Sequence, residues 1–221
     1  MTRVRSIVVG SFAALALAGC AQFADLRPTE VDVQLREAPA ELQAGVRVRA
    51  VGAEGATTFL FGSVRPAPVL GPRLEVTLGA PRVEGMAAVD LVAALVPGLV
   101  CDPAASNLSA APATATAVVA ERFEVRDGAD VVLGRAQAAS TLVAAAVGRP
   151  TAAGEETAAF VYVDRPVRIS GACADGADTV ITGIDLALGW NLVAISYIGP
   201  TLEALAVADR PSSLPWYLVA E

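Results

Sequence analysis

The sequence predicts an all-β protein: an antiparallel sandwich (Ig-like or similar), as one unit or as two docked β subdomains, with at most one short helix. Three observations predict it. Apolar residues recur at a period of two through most of the chain, the spacing of a half-buried strand. Nineteen glycines and 14 prolines break the text into short runs, as turns do between strands. One stretch alone reads as a helix.

The elements follow in order. Val31, Val33 and Leu35 alternate with polar residues, as do Val46, Val48 and Ala50 against Arg47 and Arg49. Leu74, Val76 and Leu78 repeat the pattern against Glu75 and Thr77. Met86 to Val96 is the helix-like stretch, about three turns stopped by Pro97-Gly98, although a continuous buried strand reads similarly. Phe123 and Val125 lead into Asp127-Gly128, and Val131 and Leu133 continue beyond it; Asp-Gly accepts the positive φ of a tight turn, so a hairpin is expected here. Phe160–Asp164, Val167–Ser170, Val180–Leu188 and Leu192–Ile198 supply further strands. Pro166 places the strand before it at an edge or ends it, and Asp164 and Arg165, adjacent on that strand, are expected to face opposite sides. Leu214 to Val219 reads as a closing strand, or else Trp216 and Tyr217 form an exposed contact patch.

Asp102 to Thr116 is Ala, Pro, Ser and Thr with Leu108 the one bulky residue. It reads as a long surface loop or a linker. The tetrapeptide Asp-Gly-Ala-Asp occurs at 127–130 and 175–178. Calcium takes six to eight oxygens, and neither copy has acids at the alternate positions a calcium loop needs, so both read as turns and no metal site is expected.

At the N-terminus, Arg3 and Arg5 precede an apolar or small stretch from Ile7 to Leu17. Its length suits a signal-peptide h-region and falls short of the ~20 residues a spanning helix needs. Leu17-Ala18-Gly19-Cys20 follows, and this resembles the lipobox of bacterial lipoproteins. The resemblance covers the first twenty residues and implies cleavage before Cys20, a diacylglyceryl group on its thiol and an N-acyl chain on the new amine. Two or more chains meet the requirement for stable anchoring. An ordinary secretory signal with a chance cysteine is the alternative. Residues 21–29 then form a tether that reaches about 30 Å if extended. Ala21 lacks the aspartate that marks inner-membrane retention in some double-membrane cells, so the envelope, and its outer membrane, is the expected location. The chain then divides into a signal peptide (1–19), a lipidated tether (20–29), an N-terminal β region (30–101), the loop or linker (102–117) and a C-terminal β region (118–221).

The C-terminal text Phe160-Val161-Tyr162-Val163-Asp164-Arg165, followed by Gly189-Trp190-Asn191, looks like a pairing in uncharacterised exported bacterial lipoproteins. That resemblance spans about a third of the chain and implies no activity. Trp190 is expected as a core or sheet-edge anchor whose indole N–H needs a partner.

Composition narrows the chemistry. All 16 basic residues are arginine, and histidine and lysine are absent. Without them there is no Ser-His-Asp or Cys-His arrangement, no imidazole–zinc site, no Schiff base and no Walker loop. No catalytic residue, metal or other cofactor is expected. Glu155-Glu156, the adjacent acidic pair, lies in a Gly-containing polar stretch and reads as a solvated loop. The body after residue 19 carries 14 arginines against 23 acids, a charge of −9, which argues against nucleic acid as a partner and against an electrostatic grip on anionic lipid. Cys101 and Cys173 remain once Cys20 is lipidated. In an oxidising compartment they are expected to pair, closing a loop of about 70 residues worth about 4 kcal/mol by the chain-entropy model, with two buried free thiols as the alternative.

These readings lead to a membrane-tethered envelope lipoprotein with a structural or protein-interaction role, its partners the membrane and an envelope protein or glycan. A carrier or chaperone for lipids or other hydrophobic ligands is the main alternative and requires an apolar cavity. A glycan hydrolase using two carboxylates is the third, and needs two acids converging in a cleft.

Overall fold

The computed structural model describes residues 29–67, 71–176, 178–198, 201–206 and 214–220, with backbone alone at 59–61, 178 and 201–206. Cys20 and the tether before Thr29 lie outside the described residues. Among the described residues, fourteen strands run in chain order: β1 (Thr29–Arg36), β2 (Ala44–Gly52), β3 (Gly55–Arg65), β4 (Arg73–Leu78), β5 (Met86–Ala87), β6 (Ser109–Ala111), β7 (Thr116–Arg126), β8 (Val132–Ala139), β9 (Glu156–Val163), β10 (Val167–Asp175), β11 (Asp178–Leu186), β12 (Gly189–Ile198), β13 (Thr201–Ala206) and β14 (Trp216–Val219). Two α-helices among the described residues join them, α1 (Leu91–Leu95) and α2 (Leu142–Val147).

The chain is mostly β, as its alternation predicts. The strands do not form a clear sandwich. They pair in the order β7-β2-β3-β4-β1-β14-β8-β9, and β7 closes the ring by pairing with both β8 and β9. An eight-stranded barrel results, and β12-β13-β11-β10-β6 continue from β9 as a second sheet. Period-two text specifies a half-buried strand but leaves open whether a sheet closes on itself or faces another.

β7 makes the arrangement. Its first half pairs with β9 (Ala117↔Val163 to Ala120↔Phe160) and its second half with β8 (Phe123↔Ala136 to Arg126↔Val132). Ala117, Val118, Val119 and Ala120 are all buried, because this half has a core on each face. Ala117 and Val119 join the core of the second sheet, and Ala120 joins that of the barrel. A bulge at Glu121 lies where pairing with β2 passes from Ala50↔Ala120 to Arg49↔Arg122. The inserted residue keeps Phe123 and Val125 turned into the barrel.

The barrel is filled. Phe123, Phe160 and Trp216 meet at its centre, with ring centroids 5.2 Å apart for Phe123–Trp216 and 6.0 Å for Phe123–Phe160. Val46, Val64 and Leu74 complete that core. The second sheet is filled by α1, whose Leu91, Val92 and Leu95 are buried against Val161, Ile169, Ile184 and Ile195. The three turns expected across Met86–Val96 shrink to the two-residue strand β5, a 3₁₀ turn at Ala88–Asp90 and five residues of α-helix, ended at Pro97-Gly98 with Gly98 at φ +82°.

Residues 102–111 cover the edge of β10. Asn107 exchanges two hydrogen bonds with Ala172: its backbone N–H donates to the Ala172 carbonyl (2.9 Å), and its side-chain oxygen accepts from the Ala172 N–H (2.7 Å). Ser106 Oγ accepts from Ala174 N–H at 3.0 Å, and β6 continues the pairing at 168–170. Small polar residues suit this task, since they complete the β10 edge without presenting a new apolar one.

Candidate functional site

Cys101 and Cys173 form a disulfide, with Sγ atoms 2.05 Å apart and Cα atoms 5.0 Å apart. Cys173 is fully buried in the second core, and the Cys101 side of the bond is half-buried at the exit of the α1 plug. The Val100 N–H donates to Asp175 Oδ2 (3.0 Å) and Asp102 N–H to the Ala174 carbonyl (2.8 Å), so the bridge sits between hydrogen bonds on both sides.

Trp216 and Tyr217 form no exposed patch. They are 3% and 8% exposed. Trp216 points into the barrel, while Tyr217 packs under α2 with Ala139, Ala144 and Ala145. An alternating strand with one filled core inside and a helix outside buries both of two neighbouring residues. Trp190 is an anchor as expected: its indole Nε1–H donates to the Gly79 carbonyl at 2.8 Å, and its ring lies 5.6 Å from that of Tyr162.

Several acidic residues bind neighbouring groups of the fold. Glu155 is no free loop carboxylate. It accepts from the hydroxyls of Thr141 (2.7 Å) and Thr151 (2.7 Å) and from the N–H groups of Thr151 (2.8 Å) and Ala152 (3.0 Å). These donors, the Thr141 hydroxyl foremost, bring its pKa from 4.5 down to about 2. Glu156 accepts from the Ser196 hydroxyl at 2.6 Å. Asp164 and Arg165, expected on opposite faces, pair directly at 2.9 Å because β9 has already ended at Val163. Burial pushes the Asp164 carboxyl up, but the Arg165 hydrogen bond, the Thr116 N–H and the Arg165 charge together hold it below its ordinary value.

The two Asp-Gly-Ala-Asp copies fold differently. At 127–130 the positive φ falls on Asp130 (+67°) rather than on Gly128, and the Asp127 carboxylate accepts from the Ala129 and Val131 N–H groups. This five-residue connection between β7 and β8 replaces the tight turn expected there. At 175–178, Asp175 pairs with Asp178 across a tight hairpin with Gly176 at φ +57°. Among the described residues, no three His, Cys, Asp or Glu side chains stand close enough to hold a metal ion.

Concave features among the described residues include the following. A cavity of about 890 Å³ opens at one barrel end beside Gln43, Ser63 and Arg65. A groove of about 470 Å³ lies beside the disulfide, lined by Leu99, Val100 and Leu108 among others. A crevice of about 90 Å³ sits where β7 leaves β9 for β8, flanked by Glu121, Arg135 and Gln137. At that fork Gln137 Nε2 donates to the Ala158 carbonyl (3.1 Å), and Arg49 Nε stands 3.1 Å from Glu121 Oε2. Gln137 thus ties β8 to β9, and the Arg49–Glu121 ion pair ties β2 to β7.

The most unusual surface belongs to α2. Its inward residues are Ala144 and Ala145, fully buried, while Leu142, Val143 and Val147 are 43%, 59% and 47% exposed. The large side chains face outward and the small ones inward, the reverse of an ordinary amphipathic helix. Capping explains why the helix forms. The Thr141 hydroxyl accepts from Ala144 N–H (3.1 Å), and Gly148, at φ +81°, donates its N–H to the Ala144 carbonyl (2.8 Å). Thr141 and Gly148 bracketing six apolar residues is the signal by which the sequence announces α2; the alternation that dominates the chain hides it. Below the helix, Arg135 donates to the Ala146 carbonyl and places the end of α2 over β8. Leu133, next along that outer face, and Val131 before it are exposed too. Five of the nine large exposed apolar side chains among the described residues therefore fall between 131 and 147. No helix among the described residues is long and apolar enough to cross a membrane.

Compared with known proteins, the chain matches no family model, no curated protein and no solved structure.

Proposed function

We propose that the chain is an exported envelope lipoprotein, tethered to a membrane by lipid on Cys20, whose β body acts by contact with an envelope protein or glycan rather than by catalysis. The observation that carries this reading is the Cys101–Cys173 disulfide. Stable disulfides belong to oxidising compartments, and pairing two of the three cysteines leaves Cys20, in its lipobox-like setting, as the remaining thiol. The alternative of a carrier for hydrophobic ligands has less support, since aromatic side chains fill the barrel and α1 fills the second sheet.

Growth with radiolabelled palmitate tests the anchor. The chain is expected to take up label and to float with membranes, and Cys20→Ser is expected to lose both. Label that persists in Cys20→Ser sinks the reading. Crosslinking in the intact envelope, with Cys20→Ser as control, then identifies what the body touches.

A further inference from the structure

We propose that Cys101 is a thiol-exchange site. A dithiol reductant enters the groove beside it, opens the Cys101–Cys173 bond on the folded protein, and so releases residues 100–107 from β10.

Access decides which sulfur is attacked. Cys173 is fully buried in the second core. Cys101 is half-buried and, of the two, it alone lines the groove of about 470 Å³, beside Val89, Leu99, Val100 and Leu108. Disulfides with an exposed sulfur are the labile ones. An incoming thiolate meets Cys101 Sγ and bonds to it as the S–S bond breaks. Cys173 leaves as a thiolate and takes a proton from solvent. The reductant's second thiol then attacks the reductant's own sulfur in the mixed bridge, which frees Cys101 as a thiol and leaves the reductant as a disulfide. Two electrons pass to the protein, and the dithiol supplies both.

Charge selects among thiols. Asp90 lines the groove, Asp102 adjoins Cys101, and the Asp175 carboxylate accepts from the Val100 N–H at 3.0 Å. No arginine lines the groove among the described residues. An approach past three acidic side chains disfavours anionic thiols, and the apolar walls accept an uncharged dithiol.

The covering segment depends on the bond. Within 100–107, Cys101 is the one apolar side chain packed on the second core, while Val100 is 71% exposed and 102–105 are exposed as well. Five hydrogen bonds to β10 add to this hold, made by Val100, Asp102, Ser106 and, twice, Asn107. Hydrogen bonds at a wet edge are individually too weak to offset the entropy of ordering eight residues. Once the bond opens, the segment leaves β10 bare from Gly171 to Asp175.

The test uses the full chain carrying Cys20→Ser, so that its outcome is independent of the anchor. The oxidised, folded protein is treated at low salt with cysteamine, 2-mercaptoethanol or mercaptoethanesulfonate, thiols of increasing negative charge, and each rate is divided by that on the urea-unfolded chain. Exchange is expected well below the unfolding transition, at a rate that denaturant barely changes there. Cysteamine is expected to react several-fold faster than mercaptoethanesulfonate, with the preference lost in high salt. Peptide mapping after acid quench is expected to find the adduct on Cys101 and a free thiol at Cys173. After reduction by dithiothreitol, hydrogen exchange is expected to rise at 100–107 and 171–175 while β2 and β7 stay protected. Exchange no faster than global unfolding overturns the proposal, and so does an adduct on Cys173. Equal normalised rates for the three thiols overturn the groove as the route. Unchanged protection in the reduced protein overturns the release.

Discussion

At the scale of single residues, Glu155 shows a carboxylate in polar, Gly-containing text acting as a fastener. Its oxygens tie Thr141, the N-cap of α2, to the turn at Thr151 and Ala152. Because its folded pKa, about 2, lies below the ordinary 4.5, it stabilises the fold fully above pH 4.5. That contribution is lost as pH falls from there through 2. Glu155→Gln is expected to cost about 1 kcal/mol near neutral pH, because solvent screening lowers the worth of hydrogen bonds to this exposed carboxylate. It should also flatten the pH dependence of stability between pH 5 and 2, as read by denaturant titration at a series of pH values. An undiminished acid slope in the variant rules this role out. The sequence shows that a carboxylate stands at 155. That four donors converge on it from 141, 151 and 152 depends on the fold.

Elements bring together what residues cannot. The edge of β10 is completed by side chains of the Ala/Pro/Ser/Thr stretch, and the close approach requires glycine at 171. Gly171 has φ +120°, and a Cβ there stands 2.5 Å from the Asn107 carbonyl oxygen. Gly171→Ala is expected to destabilise the protein by roughly 1–3 kcal/mol and to speed hydrogen exchange at Ala172. Gly183, on β11, meets nothing within 4 Å, so Gly183→Ala is the matched control and should leave the denaturation midpoint near that of the parent. Equal effects at the two positions refute the edge-cover account. The alternation in β2 and β4 was plainly legible because each has one wet and one dry face. β7 was only half legible, since its first four core residues are dry on both faces and its bulge changes the phase.

At the scale of the whole molecule, the disulfide joins what would otherwise be separable. It fastens the exit of the α1 plug at Cys101 to β10 at Cys173, 72 residues apart. The chain-entropy model gives a loop of this length about 4 kcal/mol, and measured values commonly fall at 2–4. The double variant Cys101→Ser, Cys173→Ser is expected to lose stability in that range, with hydrogen exchange rising first across residues 100–111. The barrel strands should stay protected, because the barrel core contains neither cysteine. Uniform loss of protection across both sheets shows instead that the two cores unfold as one unit.

Short-range chemistry was readable from the text: the β class from period two, the helix stop at Pro97-Gly98, the cysteine pair from its count, and the lipobox-like segment on which the proposed location rests. Each depends on residues close in sequence or on composition. Barrel closure, the fork at β7, the burial of both Trp216 and Tyr217, and the outward Leu142, Val143 and Val147 came from tertiary structure alone. They depend on which strand meets which, and alternation states only that a strand has two faces, not what each face meets.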